Sequence, residues 1–478
     1  MTLTLPYPKT DTNQIKHNIT FDEIQNMDWD SFADFCDGLR KELLDNWDEK
    51  YQPPMIGKSR DEIINQFNKL KDYDIDKFYI EDDNYPSFKG WIKNFSKMGS
   101  SCIQFFPALL KTQIDNYSMY DWFSSDELKV DFRRTMVVKL RKDGMYSYSR
   151  CLKKTDLETD VETWIQNTSN TDTDFWLEST DSMDSESVVL DDKNIESLKN
   201  KGYIESRHFR NILDDSEPIY YNIRHYKLNQ KLFPNIIQIF RLGFGQVPVN
   251  FPPLTSRWIC ENYLDKDSDN IVYDMCSGWG GRLLGSLSAN RKIHYVGTDV
   301  NSNNFGCYEK LGEFYNEHCN GENTFDIFTD GCEVIHENKH FQKYKGKLDL
   351  CFTSPPYFCR EMYSDDEEQS FNKYPNYKDW VDGFLNRTIK TCYEYLKPNK
   401  YMLINIADVK VKDKDIIPLE QDTISESVKC GFSYEGKYGM TMTRMIGLNP
   451  KKVLNSWFDI DTKTHFKYEP ILIFKKNG

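Results

Sequence analysis

Three short apolar runs, each ending on an aspartate, constrain this chain more than anything else in it. Ile271-Val-Tyr-Asp274, His294-Tyr-Val-Gly-Thr-Asp299 and Asp326-Ile-Phe-Thr-Asp330 are separated by stretches of helical spacing at 280–289 and 303–317. Short runs rich in apolar, β-branched and aromatic residues read as buried strands, and helices between them place such strands parallel in one sheet. Leu348-Asp-Leu-Cys-Phe-Thr353 reads as a fourth strand and Tyr401-Met-Leu-Ile-Asn-Ile406 as a fifth, with a helix over 380–396 between them. Residues 432–438 and Pro470-Ile-Leu-Ile-Phe-Lys475 are expected to close the sheet as an antiparallel pair. The pattern predicts an α/β fold, an open Rossmann-like doubly wound sheet with a closing antiparallel strand. Sheets of this kind bind ligands beyond the carboxyl ends of their strands.

The residues just past those ends carry chemistry. After Asp274 come Met275, Cys276, Ser277, Gly278, Trp279, Gly280 and Gly281. Glycines there let backbone approach a ligand closely and open a helix whose N-terminus is electropositive. The run is not Gly-x-x-x-x-Gly-Lys-Ser, so phosphate binding is not required. Asp299 can accept the hydroxyls of a ribose. Asp330, followed by Gly331, can take an adenine amine. The fourth strand runs into Thr353-Ser354-Pro355-Pro356-Tyr357. An exocyclic base amine is a poor nucleophile because its lone pair is delocalised into the ring. Two acceptors, the Ser354 hydroxyl and the Pro355 carbonyl, can draw its nitrogen toward tetrahedral geometry. The prolines stiffen the loop, and Tyr357 offers a flat face for a base taken out of its stack.

Together these stretches resemble motifs of the S-adenosylmethionine-dependent DNA amino-methyltransferases, which methylate cytosine N4 or adenine N6. The resemblance covers residues from about 250 to 478. It implies that Asp274, Cys276, Ser277 and Gly278 face the methionine part of S-adenosylmethionine, Asp299 its ribose, and Asp330 and Gly331 its adenine. Phe251-Pro-Pro-Leu-Thr-Ser-Arg-Trp is similar to the family's segment before the glycine loop, which makes Thr255 and Ser256 cofactor contacts. Ser354, Pro355, Pro356 and Tyr357 become the catalytic residues. Serine at the first position looks most like the cytosine-N4 enzymes, although the segment order is that of the unpermuted adenine class. The expected activity is site-specific methylation of a flipped base in DNA, cytosine N4 favoured over adenine N6. RNA or protein-amide methylation, or a non-catalytic binding module of the same fold, are the alternatives.

For a nucleic-acid partner, Arg360 and Tyr363 in the loop after the motif, and Arg444, Lys451 and Lys452 near the end, are the candidate contacts. Residues 431–478 hold eight Lys or Arg against four Asp or Glu, although the whole chain has net charge -14. Net charge does not locate charge, so a basic groove is compatible with it. Residues 155–192 carry 12 acidic residues and no Lys or Arg, which reads as a solvated connector. The expected division is a recognition or partner domain over 1–154, the acidic connector over 155–215, and the methyltransferase domain over 216–478. In the first part, 61–70 has the spacing of an amphipathic helix, Met136-Val-Val-Lys-Leu140 reads as a strand and Lys142-Asp143-Gly144 as a hairpin turn. The 12 cysteines form no Cys-x-x-Cys pair, which fits a reducing cytosol, bacterial or phage-infected, and no zinc ribbon. No metal site is expected; His336 and His340 read as an exposed helix end. The opening residues lack signal-peptide character, and no 18-residue apolar run is present, so no membrane association is expected.

Overall fold

The computed structural model describes residues 60–93, 250–318, 323–359, 362–410, 416–445, 455–460 and 463–478, with isolated positions 102, 105, 106, 109, 112, 113 and 124 and the stretches 140–142, 145–147, 149–152 and 219–222. The acidic stretch 155–192, the boundaries expected near 154 and 215, and Arg360, Lys451 and Lys452 lie outside the described residues.

In chain order the strands are β1 (Tyr79–Ile80), β2 (Phe88–Ile92), β3 (Leu140–Lys142), β4 (Met145–Ser147), β5 (Ser149–Leu152), β6 (Ile219–Asn222), β7 (Asp269–Asp274), β8 (Lys292–Thr298), β9 (Thr324–Phe328) and β10 (Leu348–Thr353). They continue with β11 (Leu396–Asn405), β12 (Val409–Lys410), β13 (Ile416–Ile417), β14 (Phe432–Met445), β15 (Ser456–Asp459) and β16 (Thr464–Lys476). The helices used below are α1 (Arg60–Asp72), α2 (Pro253–Tyr263), α3 (Gly281–Ser288), α4 (Cys307–Asn316), α5 (Asn386–Tyr395) and α6 (Leu419–Cys430).

One ten-stranded sheet organises the molecule, in the order β1-β2-β14-β16-β11-β10-β7-β8-β9, with β15 paired to β16. From β9 to β11 all neighbours run parallel, and β16 pairs antiparallel with both β11 and β14. The expected doubly wound sheet with its closing antiparallel pair is therefore present. Strand residues alternate between two cores, as period-two side chains must. Val272, Leu350, Phe352, Leu403, Ile471 and Ile473 pack on the side of α1 to α4. Tyr273, Cys351, Met402, Ile404, Leu472 and Phe474 pack on the side of α5 and α6. The connection leaving β7 thus runs over one face and the one leaving β10 over the other. The point where the winding changes side lies between these two neighbouring strands, where such sheets open a crevice.

Most elements fall where expected, with shifts at their ends. The third strand ends at Phe328, so Asp330 stands two residues beyond it. The helix expected over 380–396 begins with a turn at Tyr377–Trp380, passes through a π turn at Val381–Leu385 and ends at Tyr395, after which Leu396 already belongs to β11. β14 extends to Met445, with register shifts between Tyr434 and Gly436 and between Thr441 and Arg444. The hairpin expected at 142–144 is flanked by the antiparallel pair β3 and β4.

Residues 60–93 are built into the sheet: β2 pairs parallel with β14, bringing Trp91 beside Gly439. Arg257 of α2 donates to the carbonyls of Leu70 and Tyr73 at 2.6 and 2.9 Å. The Trp457 indole donates to Asp82 at 2.9 Å, and the rings of Phe88, Trp91 and Trp457 stack at 4.6 Å spacings. Large buried aromatics contribute more hydrophobic stabilisation than any other side chains, so this segment is part of the same folding unit.

Candidate active site

The two motifs meet at the switch point. β7 and β10 are paired through Val272–Leu350 and Tyr273–Cys351, so their carboxyl ends lie side by side. Thr353, the last residue of β10, joins them: its hydroxyl donates to Asp274 at 3.0 Å and accepts the Cys276 N–H at 3.1 Å. The Ser-Pro-Pro-Tyr turn therefore starts from a residue bonded to the glycine loop.

Asp274, expected to face the cofactor, has its carboxylate enclosed by protein donors. One carboxylate oxygen accepts from Thr353 and from the Cys276 N–H. The other accepts from the Arg282 guanidinium at 2.7 Å and the Tyr295 hydroxyl at 2.6 Å. A carboxylate offers about four lone-pair sites, and here four protein donors take them. Asp274 is 1 % exposed. Its charge holds Arg282 in the charged form against burial, raising the guanidinium pKa. Arg282 also reaches the Cys276 carbonyl and lies over the Phe251 ring. Ser277 is equally enclosed, with its N–H on the Thr298 carbonyl and its hydroxyl accepting from Tyr295. Both residues shape the loop from behind.

Asp299 is arranged differently. It follows β8 and is half-buried, with one main-chain N–H on each oxygen, from Gly278 at 2.7 Å and Asn301 at 2.9 Å. The carboxylate is thus met by fewer buried donors than Asp274 and is part-exposed. Burial pushes its carboxyl up to about 6, against the lowering effect of those N–H groups and of Tyr308. Gly278 adopts φ 57°, which favours glycine, and an added Cβ would meet nothing nearer than Arg282 Nη2 at 3.7 Å. The loop thus presents bare backbone beside a carboxylate. Its carbonyl is fixed by Tyr308 at 2.6 Å and by Asn304 at 3.2 Å.

Cys276 Sγ lies 3.9 Å from Cys332, and that contact together with burial raises its thiol pKa well above the ordinary value. Thr255 is fully buried on α2, and its hydroxyl has no hydrogen-bond partner among the described residues. Ser256, its neighbour, donates to the Arg282 carbonyl instead. Asp330 accepts from Asn338 at 2.8 Å, and Gly331 lies against Glu333.

Ser354, Pro356 and Tyr357 are half-buried and Pro355 is buried. Phe358, at φ 53°, turns inward against Phe371, Tyr377 and Trp380. The loop that follows reaches back to the residues after β8. Ser302 donates to Asp366 through both its N–H and its hydroxyl, at 2.9 Å. Lys373 pairs with buried Glu333 at 3.0 Å and with Glu368 at 2.6 Å. Tyr363, expected on the target side, lies 6.1 Å from Trp279 of the glycine loop. Arg444 is placed on β14 opposite Phe466 by its backbone. The roles of Arg282, Thr353, Tyr308 and Asn301 escaped the sequence reading, although Thr353 opens the Thr-Ser-Pro-Pro-Tyr stretch and Arg282 directly follows the glycines.

Residues 348–478 match the sequence model of a family described as "DNA methylase". No curated protein matches the chain in sequence. Among solved structures, a candidate DNA modification methylase of Thermus thermophilus shares 18% identity at a TM-score of 0.21, over 31% of this chain and 51% of that one. The chain thus spans about half the length of that relative. A SAM-dependent methyltransferase of Methanosarcina mazei shares 14% at 0.29, over 46% and 97%. A candidate RNA methyltransferase of Pyrococcus horikoshii shares 14% at 0.28, over 47% and 83%. Likeness of this degree assigns nothing by itself. Over residues 348–478 the chain is similar to that family, and its mixed parallel and antiparallel sheet flanked by helices is consistent with a Rossmann-like methyltransferase fold.

Proposed function

We propose that this protein transfers a methyl group from S-adenosylmethionine to the exocyclic amine of a base in DNA, cytosine N4 in preference to adenine N6. The observation that supports this is the Thr353 bridge between the glycine loop and the Ser-Pro-Pro-Tyr turn, which holds the two motifs side by side at the carboxyl ends of β7 and β10. The residues fit the cofactor. Asp299 is part-exposed with one main-chain N–H on each oxygen, Gly278 bares its backbone, and the Thr255 hydroxyl is buried and unpaired among the described residues. Asp299 would hold the ribose, Gly278 and Cys276 the methionine part, and Asp330 and Gly331 the adenine.

Bound there, the cofactor supplies an electrophilic methyl group on a sulfonium. The Ser354 hydroxyl and the Pro355 carbonyl accept the two N–H bonds of the target amine and turn its lone pair toward that methyl. Tyr357 lends its face to the base. Serine is too weak a base to take the proton, which leaves to water. Rate enhancement comes from position and electrostatics, with no covalent enzyme intermediate. Arg360, Tyr363, Arg444, Lys451 and Lys452 are the proposed nucleic-acid contacts. The test is mass spectrometry of nucleosides from AT-rich duplex DNA, and from RNA, after incubation with the protein and S-adenosylmethionine. N4-methylcytosine in DNA is expected. N6-methyladenine would reverse the base choice, methylation confined to RNA would change the substrate, and no methylated nucleoside from either would overturn the reading.

A further inference from the structure

The Tyr357 hydroxyl approaches two acceptors from the antiparallel side of the sheet. It donates to Glu469 Oε2 on β16 at 3.1 Å, and Asn405 Oδ1 at the end of β11 lies at 3.5 Å. The orientation of the Asn405 amide follows from its other end, whose Nδ2 donates to the Pro470 carbonyl at 3.0 Å. Asn405 is 1 % exposed and Thr353, at the other end of the turn, is also 1 % exposed. Phe358 is drawn by its left-handed backbone and aromatic neighbours into the core on the side of α5 and α6, against which Tyr357 also packs. The turn is thus held at Thr353 and Phe358, and the phenol at its centre is tied to a carboxylate on a strand far away in sequence.

We propose that Glu469 is a positioning residue for methyl transfer, acting through Tyr357, with Asn405 as its aid. This rests on the proposed function. Two effects follow from the contact. The phenol oxygen, anchored at its far end, fixes the plane of the ring on which the base lies, so the amine does not wander from the Ser354 and Pro355 acceptors. A phenol donating to a carboxylate also gains phenolate character, which deepens the negative face of its ring. Positive charge appears on the base as its nitrogen gains a fourth bond, before the proton departs, and an electron-rich face stabilises that charge more than the neutral base.

The test is a double-mutant cycle on methyl transfer to duplex DNA with Tyr357→Phe, Glu469→Gln and the pair. A charge-assisted hydrogen bond acting only at the transition state predicts that each single substitution lowers kcat about tenfold. KM for DNA and cofactor affinity stay within about twofold, and the double variant is no slower than either single one. Additive losses, or a raised KM with unchanged kcat, would overturn the proposal. A second readout needs no activity: 3-fluorotyrosine at position 357 gives a fluorine resonance that Glu469→Gln shifts and Glu420→Gln does not. An unmoved resonance would remove the anchor whatever the kinetics. A wild type that methylates neither DNA nor RNA, with the shift intact, would remove the methylation reading and the positioning role with it, and leave the contact itself standing.

Discussion

Asp274 and Asp299 end neighbouring parallel strands and carry the same sequence signature, an apolar run closed by an acid, yet the structure uses them oppositely. Asp274 gives all four lone-pair positions to Arg282, Tyr295, Thr353 and Cys276, and water scarcely reaches it. Asp299 takes two main-chain N–H groups and remains half-open. One carboxylate is a structural rivet behind the glycine loop, and the other is the proposed binding group beside it. A strand-end acid is therefore a ligand group only when the fold leaves its lone pairs unfilled.

Substitutions can break this contrast. Arg282→Ala leaves the Asp274 charge buried without its ion pair, and should cost about 3–5 kcal/mol of stability in chemical denaturation. A loss below about 1 kcal/mol would mean that Asp274 is not a rivet. Asp299→Ala should instead weaken cofactor binding by about 1.5–3 kcal/mol in calorimetry, the worth of a hydrogen bond to a charged group. Unchanged affinity would make the two acids alike after all. Ser354→Ala removes a neutral acceptor, and should reduce kcat by about 1 kcal/mol, roughly fivefold, with cofactor affinity intact. Equal loss of binding and turnover would make Ser354 structural.

A further expected effect is in pH dependence. The folded carboxyl of Asp299 titrates near 6, above its unfolded value, because burial disfavours the charge. The folded state then holds the extra proton between the two values. Its contribution to stability is complete below the unfolded pKa and is lost as pH rises through about 6. Asp299→Asn should flatten that part of the stability profile. Cofactor hydroxyls favour the ionised form, so binding near pH 6 should release a fraction of a proton, seen as a dependence of the calorimetric heat on buffer. Release unchanged in Asp299→Asn would assign the proton elsewhere.

Much of this arrangement was legible in the chain. β7, β8 and β10 were readable because both faces of a central parallel strand are buried, which makes the strand a nearly continuous apolar run. The α3 start followed from the glycines. Ser354 to Tyr357 stood out because two prolines after a buried strand leave few readings. β2 could not be read as a neighbour of β14. Pairing Trp91 with Gly439 depends on two segments some 350 positions apart, and no local period records it. The roles of Tyr363 and Glu469 were hidden for the same reason: Tyr363 follows the motif closely but folds back to the glycine loop, and Glu469 reaches Tyr357 from the last strand.

The sequence by itself determined the doubly wound sheet, the succession of its central strands along the chain and the two motifs at their carboxyl ends, because periodicity and backbone stereochemistry act over a few residues. Only the tertiary structure decided which acid is exposed, which strand extends the sheet and which carboxylate meets the tyrosine. Those depend on which donors from distant segments arrive first at each lone pair, and distance along a chain carries no record of distance in space.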